Sequence, residues 1–214
     1  LEIVKECVYN EETKRITFKT SYISDFAIGY NKIDFSDISG WYNGPITFLA
    51  ARGIISGKGN GIFDPNANIT RAEFVQILAN LAGADLSKYT TSAFDDVKTD
   101  DWFFGAVQWA HESGIAYGFN GSFNPNANIT RQDMAVMLDQ YIKKVAGYTL
   151  ESIYESVQFA DDSEIADYAK EAVSNMQKAG IISGKGNNIF DPKANATRAE
   201  ASAMIASLMQ KILK

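Results

Sequence analysis

Cysteine and histidine are nearly absent from this chain of 214 residues: Cys7 and His111 stand alone. A single cysteine excludes an internal disulfide, and a single histidine cannot build a histidine metal cluster. His111 falls near the end of an expected helix, where packing or surface duty is the simpler reading. No apolar run approaches the roughly 18 residues of a membrane span, so no membrane insertion is expected. Basic residues are outnumbered, 20 Lys+Arg against 26 Asp+Glu. The resulting net charge of −6 argues against a general nucleic-acid binder. Arginine is scarce, and three of the five arginines sit in one repeated phrase.

That phrase is PNANITRAE from Pro65 to Glu73, PNANITRQD from Pro125 to Asp133, and PKANATRAE from Pro192 to Glu200. GIISGKGN occurs at Gly53–Asn60 and again, unchanged, at Gly180–Asn187. Arg71, Arg131 and Arg198 are separated by 60 and 67 residues, which leaves room for two helices and a loop in each unit. Trp41, Trp102 and Tyr168 each stand twelve residues before a glycine, Gly53, Gly114 and Gly180. An acidic turn opens each unit, FSD at Phe35–Asp37, FDD at Phe94–Asp96 and FAD at Phe159–Asp161. The second copy lacks one loop residue, with GFNGSF in place of GKGNGIF.

The pattern between the aromatic residue and the glycine is helical, with Trp41, Ile46, Leu49 and Ala50 on one stripe. The glycine ends that helix. A second helix starts at each Thr-Arg pair. Thr70 with Glu73 and Thr197 with Glu200 form T-x-x-E capping boxes, and Thr130 with Asp133 is a shorter variant. The fold class is therefore mainly α, with three helix-loop-helix units around a shared bundle. The expected boundaries are 34–83, 94–146 and 159–214, joined by linkers. Residues 1–33 differ. LEIVKECVY, RITFKT and FAIGY read as three short strands, the tail of an upstream β domain. Leu1 is read as the start of a fragment from a longer, processed chain.

The arginine is the unusual member of each phrase. It occupies the first helical position, where a cation is unfavourable by about 0.3–1 kcal/mol. Beside free backbone N–H groups, its planar fork suits a carboxylate. The alternative is an ion pair with an acid of its own fold, such as Asp37, Asp96 or Asp161. The glycine-rich loop is open to two readings, close approach of a ligand or a tight turn. Trp41, Trp102 and Tyr168 are either core residues or exposed rings for stacking on a sugar. DPNANITRAE lacks the central glycine and terminal glutamate of a calcium loop, so no metal is expected. No catalytic constellation and no cofactor motif stands out.

Over residues 34–214 the combined pattern (FxD, an aromatic, GI(I/A)xG, a glycine-rich loop, (I/A)TRAE) resembles the S-layer homology domain in three complete copies. The resemblance implies an exported protein held at the bacterial surface. Its partner would be a secondary cell-wall polysaccharide, often carrying pyruvate ketals on N-acetylmannosamine. It also implies a pseudo-threefold bundle with ligand grooves between units. The candidate glycan contacts are Arg71, Arg131 and Arg198, the loop residues Gly57, Gly118, Gly184, Ser56 and Ser183, the aromatics Trp41 and Trp102, and the acids Asp37 and Asp96. Ala116-Tyr117 replaces Ile-Ser in the second copy, so the grooves are expected to differ. One rival is a lattice module touching neighbouring surface-layer subunits. The other is a glycosidase using Glu73, Glu200 or Asp133, acids already committed to capping.

Overall fold

A computed structural model describes residues 3–20, 24–29 and 31–213. It contains helices α1 (Asn43–Ala50), α2 (Arg71–Ala82), α3 (Phe104–Glu112), α4 (Arg131–Tyr141), α5 (Asp167–Lys178) and α6 (Arg198–Ile212). Short 3-10 turns lie at Gly40–Tyr42 and Asp162–Glu164, and a π-turn follows α4 at Ile142–Ala146. α2 and α6 begin in complete capping boxes. In each, the threonine oxygen accepts from the glutamate N–H and the glutamate accepts from the threonine N–H. At α4, Thr130 accepts from the Asp133 N–H, but the shorter carboxylate takes the Thr130 hydroxyl proton instead, at 2.7 Å. The first helices stop where Gly53, Gly114 and Gly180 turn left-handed, with φ of 65°, 68° and 68°.

The main helix contacts run between units. α2 lies against α3, α4 against α5, and α6 returns to α1. The third contact closes a ring, and the pseudo-threefold axis is marked by backbone bonds. The Ile69 N–H donates to the Ala196 carbonyl at 3.0 Å, Ala196 to Ile129 at 2.9 Å, and Ile129 to Ile69 at 3.0 Å. All three residues are buried. Around this triangle each second helix offers its first two N–H groups to the next unit. Arg71 donates to the Ala127 carbonyl and Ala72 to Pro125; Arg131 donates to Ala194 and Gln132 to Pro192; Arg198 donates to Ala67 and Ala199 to Pro65. These are the orphan donors of a helix start, satisfied here by a neighbour. The expectation of free N–H groups beside the arginines is thereby corrected.

One core runs through all units, with Phe63, Phe123 and Phe190 at equivalent buried positions. The leading segment forms two strands, β1 (Cys7–Asn10) and β2 (Arg15–Phe18), paired antiparallel with Cys7 opposite Phe18. The third expected strand is not formed. Among the described residues, 26–29 have no regular structure; Phe26 sets its ring against Phe18 of β2 at 4.8 Å, and Ile28 is 86% exposed. Tyr30 lies outside the described residues. The hairpin is tied to the bundle rather than standing apart. Lys5 donates to the Asn80 carbonyl at the end of α2, Arg52 donates to the Cys7 carbonyl, and Lys19 donates to the Tyr148 hydroxyl.

Candidate functional site

Three grooves follow from the ring. Each is built on the loop of one unit, the arginine of the preceding unit and the aromatic residue of the following one. The arginine reaches across the unit boundary in every case. Arg198 donates from Nε to the Phe63 carbonyl (2.9 Å) and from Nη2 to the Ser56 carbonyl (2.8 Å). Arg71 makes the same two bonds to Phe123 and Tyr117, both 3.0 Å. Arg131 donates from Nε to Phe190 at 2.8 Å. Each guanidinium also lies over the ring of that phenylalanine, at 4.4 Å for Arg198, 4.7 Å for Arg71 and 5.1 Å for Arg131. Burial lowers the pKa of Arg71 and Arg198, with nearby carboxylates, Asp133 and Glu73 foremost, pulling the other way. An arginine stays cationic under such a shift.

The acids of the opening turns do not pair with these arginines. Asp37 accepts the N–H groups of Phe63 (2.9 Å) and Asp64 (2.7 Å). Asp96 does the same for Phe123 and Asn124, both at 2.8 Å, and Asp161 for Phe190 and Asp191. The second residue of each pair is left-handed, with φ of 60°, 58° and 60° for Asp64, Asn124 and Asp191. The aspartate thus clamps a strained corner of the loop. The Phe63 and Asp64 bonds hold the Asp37 carboxyl below its ordinary pKa. Burial opposes the same shift at Asp161, but the bonds from Phe190 and Asp191 outweigh it.

The loop itself is a small hairpin. Asn60-Gly61, Asn120-Gly121 and Asn187-Asn188 all have positive φ at both positions, as a type I′ turn requires. The residue missing from the second copy is the left-handed glycine before this turn, Gly59 or Gly186, with φ near 102°. Gly57 and Gly118 have no room for a side chain. A Cβ on Gly57 would stand 2.5 Å from the Ile62 carbonyl and from the Phe35 ring; on Gly118 it would stand 2.4 Å from the Phe94 ring. Gly184 is similarly closed by the Ile189 carbonyl at 2.8 Å. The tight-turn reading accounts for these glycines.

The first groove is an open cleft of about 140 Å³. Its walls include Ser56, Gly57 and Lys58 of the first loop, Glu73, Gln76 and Asn80 of α2, Arg198 and Ser202 of α6, and Trp102. Trp102 is 64% exposed and Trp41 63%, so both are surface rings rather than core. Glu73 is the electrostatic hub. Its Oε2 completes the helix cap, and its Oε1 takes Lys58 and lies 3.5 Å from Arg198 Nη1. Its own burial raises the pKa, yet Lys58, the Thr70 N–H and Arg198 together bring it below the ordinary value. Two cations therefore face one carboxylate.

The third groove repeats that set. Arg131 Nη1 meets Glu200 Oε1 at 2.6 Å, Lys185 stands 3.7 Å from the same oxygen, and Lys185 also pairs with Asp191 at 3.0 Å. The 3-10 turn carrying Trp41 packs on α6. Ser183 and Gly184 are exposed on that loop. The second groove differs. Phe119, 76% exposed, stands where the others have lysine, and Tyr117 stands where they have serine. The Tyr168 hydroxyl donates to Asp133 Oδ1 at 2.7 Å and accepts from Gln132 Nε2 at 3.1 Å. Burial of that hydroxyl, with Asp133 adding to it, pushes the Tyr168 pKa up to about 12. Among the described residues Arg71 makes no ion pair.

Lys58 and Lys185 were missed by sequence reasoning, as was the second duty of the capping glutamates. The signal was present: GKG recurs in two units and is absent from the one that also lost its glutamate. His111 packs edge-on against Phe94, 4.9 Å between centroids, in accord with a packing role. Among the described residues no group of three or more metal-ligating side chains is found. No helix among the described residues is long and apolar enough to cross a membrane.

The S-layer homology domain family matches residues 34–75, 93–135 and 158–202. Relatives of the chain include an amylopullulanase of Thermoanaerobacterium thermosulfurigenes, 36% identical over 92% of this chain and 10% of that protein. A surface-layer 125 kDa protein of Lysinibacillus sphaericus is 30% identical over 84% of this chain and 15% of its own length. A cellulosome-anchoring protein of Acetivibrio thermocellus is 29% identical over 73% of this chain and 35% of its own. The chain thus spans between a tenth and about a third of these relatives, and the enzyme's name carries no activity across so short a match. Three matched copies, a closed ring of repeated loops and surface-layer relatives agree: the chain belongs to the S-layer homology domain family, an anchoring module of the bacterial cell surface.

Proposed function

We propose that the chain holds a surface protein on the cell wall non-covalently, by binding an anionic secondary cell-wall polysaccharide in the grooves between its repeats. The expected recognition unit is a pyruvylated amino sugar, N-acetylmannosamine carrying a pyruvate ketal. The observation that carries this reading is the first cleft, where Arg198, Lys58, Glu73 and Trp102 converge from three different units. Two cations against one carboxylate leave one positive charge, which a ketal carboxylate neutralises. Arg198 has two of its nitrogens fixed on backbone carbonyls, so its remaining edge is pre-oriented. Lys58 is exposed and free to swing between Glu73 and a ligand. Trp102 offers a ring face to the sugar, and Ser56 and Gly57 line the floor. In the third groove Arg131, Lys185, Glu200, Trp41, Ser183 and Gly184 take the corresponding parts. Asp37 and Asp96 act by holding the loop corners in place.

The deciding experiment is titration calorimetry of the polysaccharide with and without its ketal. Removal of the ketal leaves the sugar rings intact and should abolish most of the binding. Equal affinity for both polymers overturns the carboxylate mechanism. Sedimentation with wall sacculi, before and after extraction of the polymer, tests the anchor itself; indifference to the extraction would favour a protein lattice contact instead.

A further inference from the structure

We propose that the second groove is shut to the anionic sugar by Tyr168, so that this chain presents carboxylate sites only in its first and third grooves. The inference rests on the glycan reading above and adds which residues decide occupancy. Three observations concur. First, the lysine that gives the other grooves their second cation is replaced by Phe119, so Arg71 alone faces Asp133. A ligand carboxylate there would make two negative charges against one positive. Second, Asp133 is already engaged on both oxygens, by the Tyr168 hydroxyl at 2.7 Å and the Thr130 hydroxyl at 2.7 Å. Third, Tyr168 stands at the position of Trp41 and Trp102, exposed rings that meet their sequence neighbours Tyr42 and Phe103 edge-on. Its hydroxyl is the one feature that indole lacks, and it reaches across the groove to the α4 start. Lys144, the lysine beside this loop, is held by the Gly114 carbonyl at 2.9 Å and the Tyr117 hydroxyl at 3.2 Å.

The test uses the whole chain and the methyl glycoside of pyruvylated N-acetylmannosamine. Calorimetry should give two sites per chain. Indole N–H signals resolve them: Trp102 reports the first groove and Trp41 the third, while buried Trp109 is the internal control. Both exposed indoles should shift on titration. The variant Phe119→Lys with Tyr168→Trp should raise the stoichiometry to three. A stoichiometry of one or three in the unmodified chain overturns the proposal, as does a folded double variant that stays at two. Absence of any binding by the unmodified chain would instead overturn the carboxylate reading on which the proposal stands.

Discussion

The first and second grooves are built on the same frame. In both, an arginine from the preceding unit spends Nε on a phenylalanine carbonyl and Nη2 on the carbonyl three residues after the helix-ending glycine. In both, an aspartate clamps the loop corner with two N–H bonds. What differs lies at the mouth: Lys58, Glu73 and Trp102 in one, Phe119, Asp133 and Tyr168 in the other. On the proposed glycan reading, the frame and the ligand chemistry are carried by separate atoms. The backbone-facing side of the arginine knits units together and must stay, whatever the groove binds. The outward edge is free to change, and in the second groove its surroundings have changed.

The sharpest way to break this comparison is to truncate the arginines one at a time. Arg198→Ala should weaken glycan binding by roughly 1.5–3 kcal/mol at the first groove, the scale of a lost charge-assisted contact. Arg71→Ala should cost much less binding while lowering thermal stability, since its visible partners are two carbonyls and a ring. Calorimetry and thermal melts of the two variants side by side check this, and equal binding losses would erase the distinction drawn between the grooves.

Lys58→Ala separates the ligand edge from the frame more cleanly. The exposed Lys58 ammonium bonds only the Glu73 carboxylate, so its removal should reduce affinity with little change in melting temperature. The matching Lys185→Ala should have a weaker effect, because Asp191 already competes for that ammonium. Affinity for the pyruvylated sugar, measured for both, ranks them.

Capping variants act on the frame alone. Thr70→Ala and Thr197→Ala each break a complete box and should lower stability by about 0.5–2 kcal/mol, read by denaturant melts. A threonine variant that keeps full stability yet loses binding would make the hydroxyl a ligand contact.

The smallest effect is in acid. The Asp37 carboxyl has a lower pKa folded than unfolded, through its bonds from Phe63 and Asp64. Its stabilisation is complete above the unfolded value of about 3.9 and is lost as pH falls through the folded one. Melting temperature should drop on acidification below about pH 4, and Asp37→Asn should flatten that part of the profile.

Local chemistry was legible in the sequence, and long-range partnership was not. Thr70 and Glu73 are three residues apart, and the box they form follows from that spacing alone. The left-handed turns at Gly53, Gly114 and Gly180 follow from glycine after an apolar stripe. By contrast, the Arg71 N–H finds its acceptor at Ala127, in another unit, so its helix start looked open when it was closed. Asp37 looked like a counter-ion or a ligand contact because its two N–H partners are 26 and 27 residues away. Trp41 and Trp102 share the spacing of buried stripes, and only the assembled ring leaves their faces in water. Phe26 and Ile28 have strand composition, but composition does not fix backbone pairing: Phe26 meets β2 through its ring on Phe18, and residues 26–29 join no ladder.

The triangle of bonds through Ile69, Ile129 and Ala196 carries a lesson about growth. In an open solenoid each repeat shows its successor the same unsatisfied face, and a duplication simply lengthens the rod. Here the third unit has used up the face that a fourth would need, since α6 already covers α1. A gene that doubled this stretch would not encode a longer stack. It would encode two rosettes on one string.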